Sequence, residues 1–269
     1  MIRSIRTAVL VVVSLFAFGA ALPSCGATTT SLVANPTNPA FGAPVTFTAS
    51  VTPSPGSAGT VSFFLDGSPN AVAVVPLTNG SASFTTSGLG AGTHSMVASY
   101  SGAPGFPFGS DPSTSDPATV TVGTTSTVTG SHPGALIVGP GTSVLVSQAT
   151  VGSVIVQSGG AVDVESSSIA SLSASGASAL RLCASTVKGS VTVNGAQGFV
   201  LIGDSTDDAC PINTIGGSLT LQNNTHGVEA IGNHVAGAVN TSGNSGTGAF
   251  PEDSAPDISG NGPSGALTW

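Results

Sequence analysis

Between Thr28 and Gly123, apolar and polar residues alternate in short runs broken by turn residues. Pro44 to Val51 alternates at period two, the pattern of a strand with one buried face. Gly59 to Leu65 alternates less cleanly and meets Asp66-Gly67, a tight-turn pair. Ala71 to Leu77 leads into a second such pair, Asn79-Gly80, across which Ser81 to Thr86 is expected to fold back. Thr93 to Tyr100 and Ala118 to Val122 supply further strands. About seven short strands at roughly ten-residue intervals predict an antiparallel β-sandwich over residues 28–123.

Residues 124–133 are rich in Thr, Ser and Gly and read as a linker. Over residues 134–249 the pattern becomes a repeat. Leu136, Val154, Leu172, Val191, Leu219 and Val239 follow one another at steps of 18, 18, 19, 28 and 20. The long step marks a coil that carries an inserted loop. Apolar columns recur in each coil: Val138, Val156, Ala174, Val193 and Leu221; Val144, Val162, Leu180, Phe199 and Val228; Val146, Val164, Leu182 and Leu201; Val151, Ile169 and Val187, with Val235 after the insertion. No coil carries a core large enough alone, so the coils must stack, as in a parallel β-helix. The inward series 138, 144, 151, 156, 162, 169, 174 steps by 6, 7, 5, 6, 7, 5, which disfavours the strict six-residue rhythm of a left-handed hexapeptide helix. Gly159-Gly160, Gly195, Gly216-Gly217 and Asn223-Asn224 suit corners with positive φ. The tail, residues 250–269, is Pro/Ser/Gly-rich and is expected to cap the open end of the helix. The fold class is therefore all-β: a sandwich followed by a short parallel solenoid.

Three runs in the first region carry a resemblance: Asn35-Pro36 with Gly42 to Ala49, Gly59 to Phe63, and Leu89 to Gly102. The region resembles the bacterial Ig-like repeat domains of secreted and cell-surface proteins, which implies an Ig-like sandwich serving as a spacer or adhesion module. It departs from that pattern at Ala103 to Thr114, a Pro-rich insertion whose Phe106 and Phe108 read as an end cap or as a contact for a partner. The repeat region resembles right-handed parallel β-helices, including those of exported bacterial proteins and the polymer-forming bactofilins, in pattern alone.

Charge and cysteine usage narrow the class. Arg3 and Arg6 precede an apolar stretch, Ala8 to Leu22, and small residues up to Ala27. This is the layout of a secretory signal peptide over residues 1–27, and the stretch is shorter than the ~20 residues that span a bilayer. Beyond it the chain carries two cations, Arg181 and Lys188, against 12 acids, which excludes a basic nucleic-acid surface. Of the 3 cysteines, Cys25 would be left a free thiol by cleavage after Ala21, so it is expected to be removed by cleavage after Ala27 or to become a lipid anchor, the only route to a membrane expected here. Either leaves Cys183 and Cys210 as a pair, so a disulfide between them is expected in an exported protein.

Candidate chemistry is sparse. The repeat register places Asp163 beside Arg181 in an outward column (Leu145, Asp163, Arg181, Val200, Glu229), with Glu165 two residues on. Carboxylates and an Arg on an outer parallel sheet loosely resemble β-helix polysaccharide lyases; the plainer reading is a surface ion pair worth up to ~1 kcal/mol. His94 has no second ligand nearby, and His226, Glu229 and His234 lack metal-site spacing. Asp204, Asp207 and Asp208 read as a solvated loop rather than a calcium site, and no catalytic residue, metal or cofactor is assigned. The leading reading is a non-catalytic, secreted or surface-bound protein whose Ig-like spacer presents a β-helix for interaction or adhesion. Its expected partner is a neutral cell-wall or extracellular polysaccharide, or another surface protein, met by polar ladders such as Gln157, Ser175, Asn194 and Gln222. The rivals are a carbohydrate-active enzyme working through Asp163, Glu165 and Arg181, and a self-associating envelope protein. N-terminal sequencing of exported material should begin at Thr28, or find a lipidated Cys25; material retaining Arg3 to Ala20 would contradict the targeting assignment.

Overall fold

The computed structural model describes residues 26–105, 109–205, 209–247 and 255–262. The expected signal peptide, Cys25, the Phe106–Phe108 tip, Asp207, Asp208 and much of the tail lie outside the described residues. Every regular element among them is a β-strand. The sandwich comprises β1 (Thr29–Asn35), β2 (Val45–Thr52), β3 (Thr60–Leu65), β4 (Ala73–Pro76), β5 (Ser81–Thr86), β6 (Gly92–Tyr100), β7 (Ser113–Thr114) and β8 (Ala118–Val122). One sheet runs β1-β2-β5 and the other β4-β3-β6-β7, with β8 also on β6. The period-two alternation turns Val45, Phe47, Ala49 and Val51 inward, and Val61, Phe63 and Leu65 inward from the other sheet. Phe84 bridges the two, its ring centroid 6.4 Å from Phe47 and 5.7 Å from Phe63.

One pairing differs from the sequence expectation. The Asn79-Gly80 turn forms, with φ of 52° and 80° and reciprocal backbone hydrogen bonds between Thr78 and Ser81 of 2.8 and 3.1 Å. Yet β5 pairs with β2, not with β4. Gly80 explains the divergence: its N–H donates to the Gly56 carbonyl and its own carbonyl accepts the Val51 N–H, which commits the chain to the opposite sheet after one bridge.

The solenoid has three faces. On the first, the start of β9 (Ser126–His132) and of β11 (Ser143–Val156) precedes β12 (Ala161–Glu165), β14 (Ala179–Cys183), β17 (Val200–Ile202), β20 (Val228–Ile231) and β23 (Asp257–Ser259). On the second, β11 and β13 (Ser168–Ser175) lead to β15 (Thr186–Val187), β18 (Thr214–Ile215) and β21 (His234–Val235). On the third, β10 (Leu136–Val138), β11 and β13 lead to β16 (Val191–Asn194), β19 (Leu219–Gln222) and β22 (Val239–Ser242). All these pairings are parallel, and the column from Leu136 to Val239 has the register read from the repeat.

Two expectations change, the linker and the columns given to Phe199 and Leu201; the cap and the last column are filled in. The supposed linker supplies β9, which pairs with β11 and opens the first coil. The tail contributes β23, which continues the stack on β20. Val200 and Ile202, not Phe199 and Leu201, continue the inward columns, because the corner after Asn194 holds one residue more than the corner after Ser175. Ile215 fills the gap between Val187 and Val235. At the corners, Gly159, Gly195 and Asn223 do adopt positive φ. Gly216 is needed instead for close approach, since a Cβ there would meet the Lys188 carbonyl oxygen.

A polar ladder ties the coils at one buried corner. Asn213 Oδ1 accepts the Ser185 N–H at 2.9 Å, and Asn233 Oδ1 accepts both the N–H and the side-chain N–H of Asn213 at 3.0 and 2.9 Å. Asn261 Oδ1 does the same for Asn233 at 3.0 and 2.8 Å. Asn213 and Asn233 also donate to the Leu182 and Ile202 carbonyls. Replacing Asn233 with Ala should cost about 2–3 kcal/mol in urea unfolding, because it strands buried donors and a carbonyl. Replacing exposed Asn240 should change stability by no more than about 0.5 kcal/mol.

Candidate functional site

β12, β14 and β17 are buried on both sides: their inward residues fill the solenoid core, and their outward residues are covered by the sandwich. Ala161, Ala179, Phe199 and Leu201 join the sandwich core cluster rather than facing water. Phe199, displaced from its expected column, packs edge-on against Phe41, with ring centroids 5.8 Å apart. Gly42, at φ +83°, lies so close that a Cβ would come within 2.7 Å of the Ala179 Cβ.

In this apolar surround lies the pair that the repeat register placed together. The observed outward column is Leu145, Asp163, Arg181, Leu201, Glu229 and Asp257, with Leu201 where Val200 was expected. Arg181 Nη1 donates to Asp163 Oδ1 at 3.3 Å, and Nη2 to the Ala209 carbonyl at 3.3 Å; Nε has no hydrogen-bond partner. Asp163 Oδ2 accepts the Ala91 N–H at 2.7 Å from the sandwich. Gly90 lies on the guanidinium, where a Cβ would stand 2.8 Å from Nη1. Asp163 is 0% exposed and Arg181 6%, so this is a buried interdomain ion pair, not the surface pair expected. Glu165 stays half-buried at the strand end, in register with Cys183. In this arrangement the Asp163 carboxylate has no exposed surface.

His94 stands behind the contact loop. Its Nδ1 bonds Asp66 Oδ2 at 2.7 Å and its Nε2 donates to the Gly90 carbonyl at 2.9 Å. Burial pushes the His94 pKa down, but the bonds to Asp66 and Gly90 and the Asp66 charge outweigh it, and the net shift is upward. Burial raises the Asp66 carboxyl, but the bonds from His94 and the Ser95 N–H bring it below its ordinary value.

Cys183 and Cys210 form a disulfide with Cα atoms 5.0 Å apart, both fully buried against the junction. The bond staples the inserted loop to β14 and so holds Ala209 where its carbonyl receives Arg181. Glu229 lies buried on the first face, whereas His234 is exposed on the second and His226 is exposed at a corner. Among the described residues no group of three potential ligands could hold a metal ion, and no helix is long and apolar enough to cross a membrane.

The third face is uncovered. Its strands carry no charged residue. Ser175, Asn194 and Gln222 pair in one outward column, and Gln157 precedes them, one residue beyond the Val156–Ala174 pair.

Two outcomes follow from the junction. Arg181→Met alone should cost about 3–5 kcal/mol in denaturant unfolding, since it leaves a buried carboxylate unpaired, whereas Asp163→Leu with Arg181→Met should recover most of that loss. Thiol labelling of the denatured, unreduced protein should find neither Cys183 nor Cys210 free.

Among known proteins, residues 32–123 match the family model of the bacterial Ig-like domain (group 3). Neither a search of curated proteins nor one of solved structures found a match. Residues 32–123 are thus similar to the bacterial Ig-like domain, and they are followed by a parallel β-solenoid of about six turns over residues 126–242.

Proposed function

We propose that the protein is a non-catalytic, exported surface or extracellular module in which the Ig-like domain braces the solenoid and the solenoid's third face binds a neutral polysaccharide. The Ig-like domain and the buried disulfide fit a surface or extracellular setting. The observation that carries the reading is the contrast between faces. The first carries a buried ion pair and is covered by the sandwich over β12, β14 and β17, while the third presents Ser171–Ser175, Ser190–Asn194 and Ser218–Gln222 as uncharged polar rows. Parallel strands set these rows about 4.8 Å apart, and alternate outward residues within a row about 6.6 Å apart. A lattice of hydroxyls and amides at such spacing suits a repeating ligand that is itself rich in hydroxyls. Charge contributes little on such a face, so affinity rests on neutral hydrogen bonds of about 0.5–1.5 kcal/mol each. An enzyme acting through Asp163, Glu165 and Arg181 would need the sandwich to lift away first.

Sedimentation of the protein with insoluble neutral wall polysaccharides checks this. Binding should persist in high salt, and Gln157→Ala combined with Asn194→Ala should weaken it about tenfold. Binding that disappears with added salt, or no binding to any wall material, contradicts the proposal.

A further inference from the structure

We propose that His94 is a pH-sensitive latch on the junction, holding the sandwich against the solenoid while it is protonated and loosening that contact when it is neutral. The observation is a single peptide unit bonded at both ends. The carbonyl of the Gly90-Ala91 peptide accepts from His94 Nε2 at 2.9 Å, and its N–H donates to Asp163 Oδ2 at 2.7 Å. A carbonyl only accepts, so Nε2 must carry a proton. The other ring nitrogen lies 2.7 Å from Asp66 Oδ2, an ionised carboxylate that also only accepts. Both bonds are therefore satisfied only by the imidazolium. A neutral ring must turn a lone pair either on Asp66 or on the Gly90 carbonyl, and the second choice frees the peptide that carries the Asp163 contact.

The charged groups acting on the ring come from both domains. Asp66, in the turn after β3, favours its protonation; Arg181 of β14 opposes it. Asp163 of β12 takes part through the shared peptide and neutralises Arg181. His94 is raised in the folded state, so its contribution is full below the unfolded value of about 6.5 and is lost as pH rises through the folded pKa. Asp66 is lowered, so its contribution is present above the unfolded carboxylate value and is lost as pH falls through its folded pKa. The latch is thus closed below the unfolded value of about 6.5 and opens as pH rises through the folded His94 pKa.

An NMR titration of the purified protein between about pH 5.5 and about pH 8.5 reads this directly. The His94 ring should titrate above the unfolded value, and the Ala91 amide shift should move with the same midpoint. Beyond it, Ala91 protection from exchange, corrected for base catalysis, should fall by about tenfold for each pKa unit by which folding raises His94. Asp66→Asn should move both midpoints to lower pH, and His94→Gln should abolish the Ala91 step. Ala91 protection that stays constant through the His94 midpoint overturns the proposal, and the wild-type titration alone decides this. An unchanged step in His94→Gln overturns it as well.

Discussion

The arrangement of the two domains depends on one constraint: a carboxylate and a guanidinium taken out of water must satisfy each other and their neighbours. Asp163 and Arg181 stand in adjacent coils of the same outward column, so the register of the solenoid by itself sets them side by side. Docking removes water from the pair, and the loss is offset only because the sandwich supplies the Ala91 N–H and the inserted loop supplies the Ala209 carbonyl. Such a pair contributes little net stability against an apolar substitute, but it penalises every other docking geometry. The surrounding contacts of Phe41 with Phe199 and of Gly42 with Ala179 supply the burial, and the ion pair supplies the registration.

The solenoid offers a stiff platform for this junction. Each coil buries a few aliphatic residues that stack on equivalents above and below, and the corner ladder from Ser167 to Asn261 repeats the same bond between side-chain oxygen and backbone N–H from coil to coil. A ladder of this kind resists slippage, because a coil shifted by one residue would strand buried donors. The disulfide adds a local tie where the register is most at risk, at the long insertion.

Much of this was legible in the chain. Period-two alternation together with the tight-turn pairs and strand spacing marked six of the sandwich strands, and the 18-residue repeat gave the solenoid register and the neighbouring positions of Asp163 and Arg181. Cysteine parity gave the disulfide. The linker was misread because Ser126 to His132 carries one aliphatic residue, Val128, and the stack rather than its own pattern makes it a strand. The burial of the candidate site was missed although a signal was present. Ala161-Val162-Asp163-Val164 and Ala179-Leu180-Arg181-Leu182-Cys183 are apolar on both faces apart from the ion pair, the mark of a strand covered on two sides. By contrast, Val191 to Asn194 and Leu219 to Gln222 alternate with polar residues, and their outer face is free. The relay through His94 had no sequence signal, because it joins a turn, a strand and a loop across two domains.

The account stands on the two domains forming one body through a specific junction. Distance measurement between nitroxide labels tests this most directly, with one label at exposed Ser83 on the sandwich and one at exposed Thr214 on the solenoid. A single narrow distance distribution, broadened by Arg181→Met, is the outcome the account predicts. A broad distribution in the unaltered junction, indifferent to Arg181→Met, would contradict it.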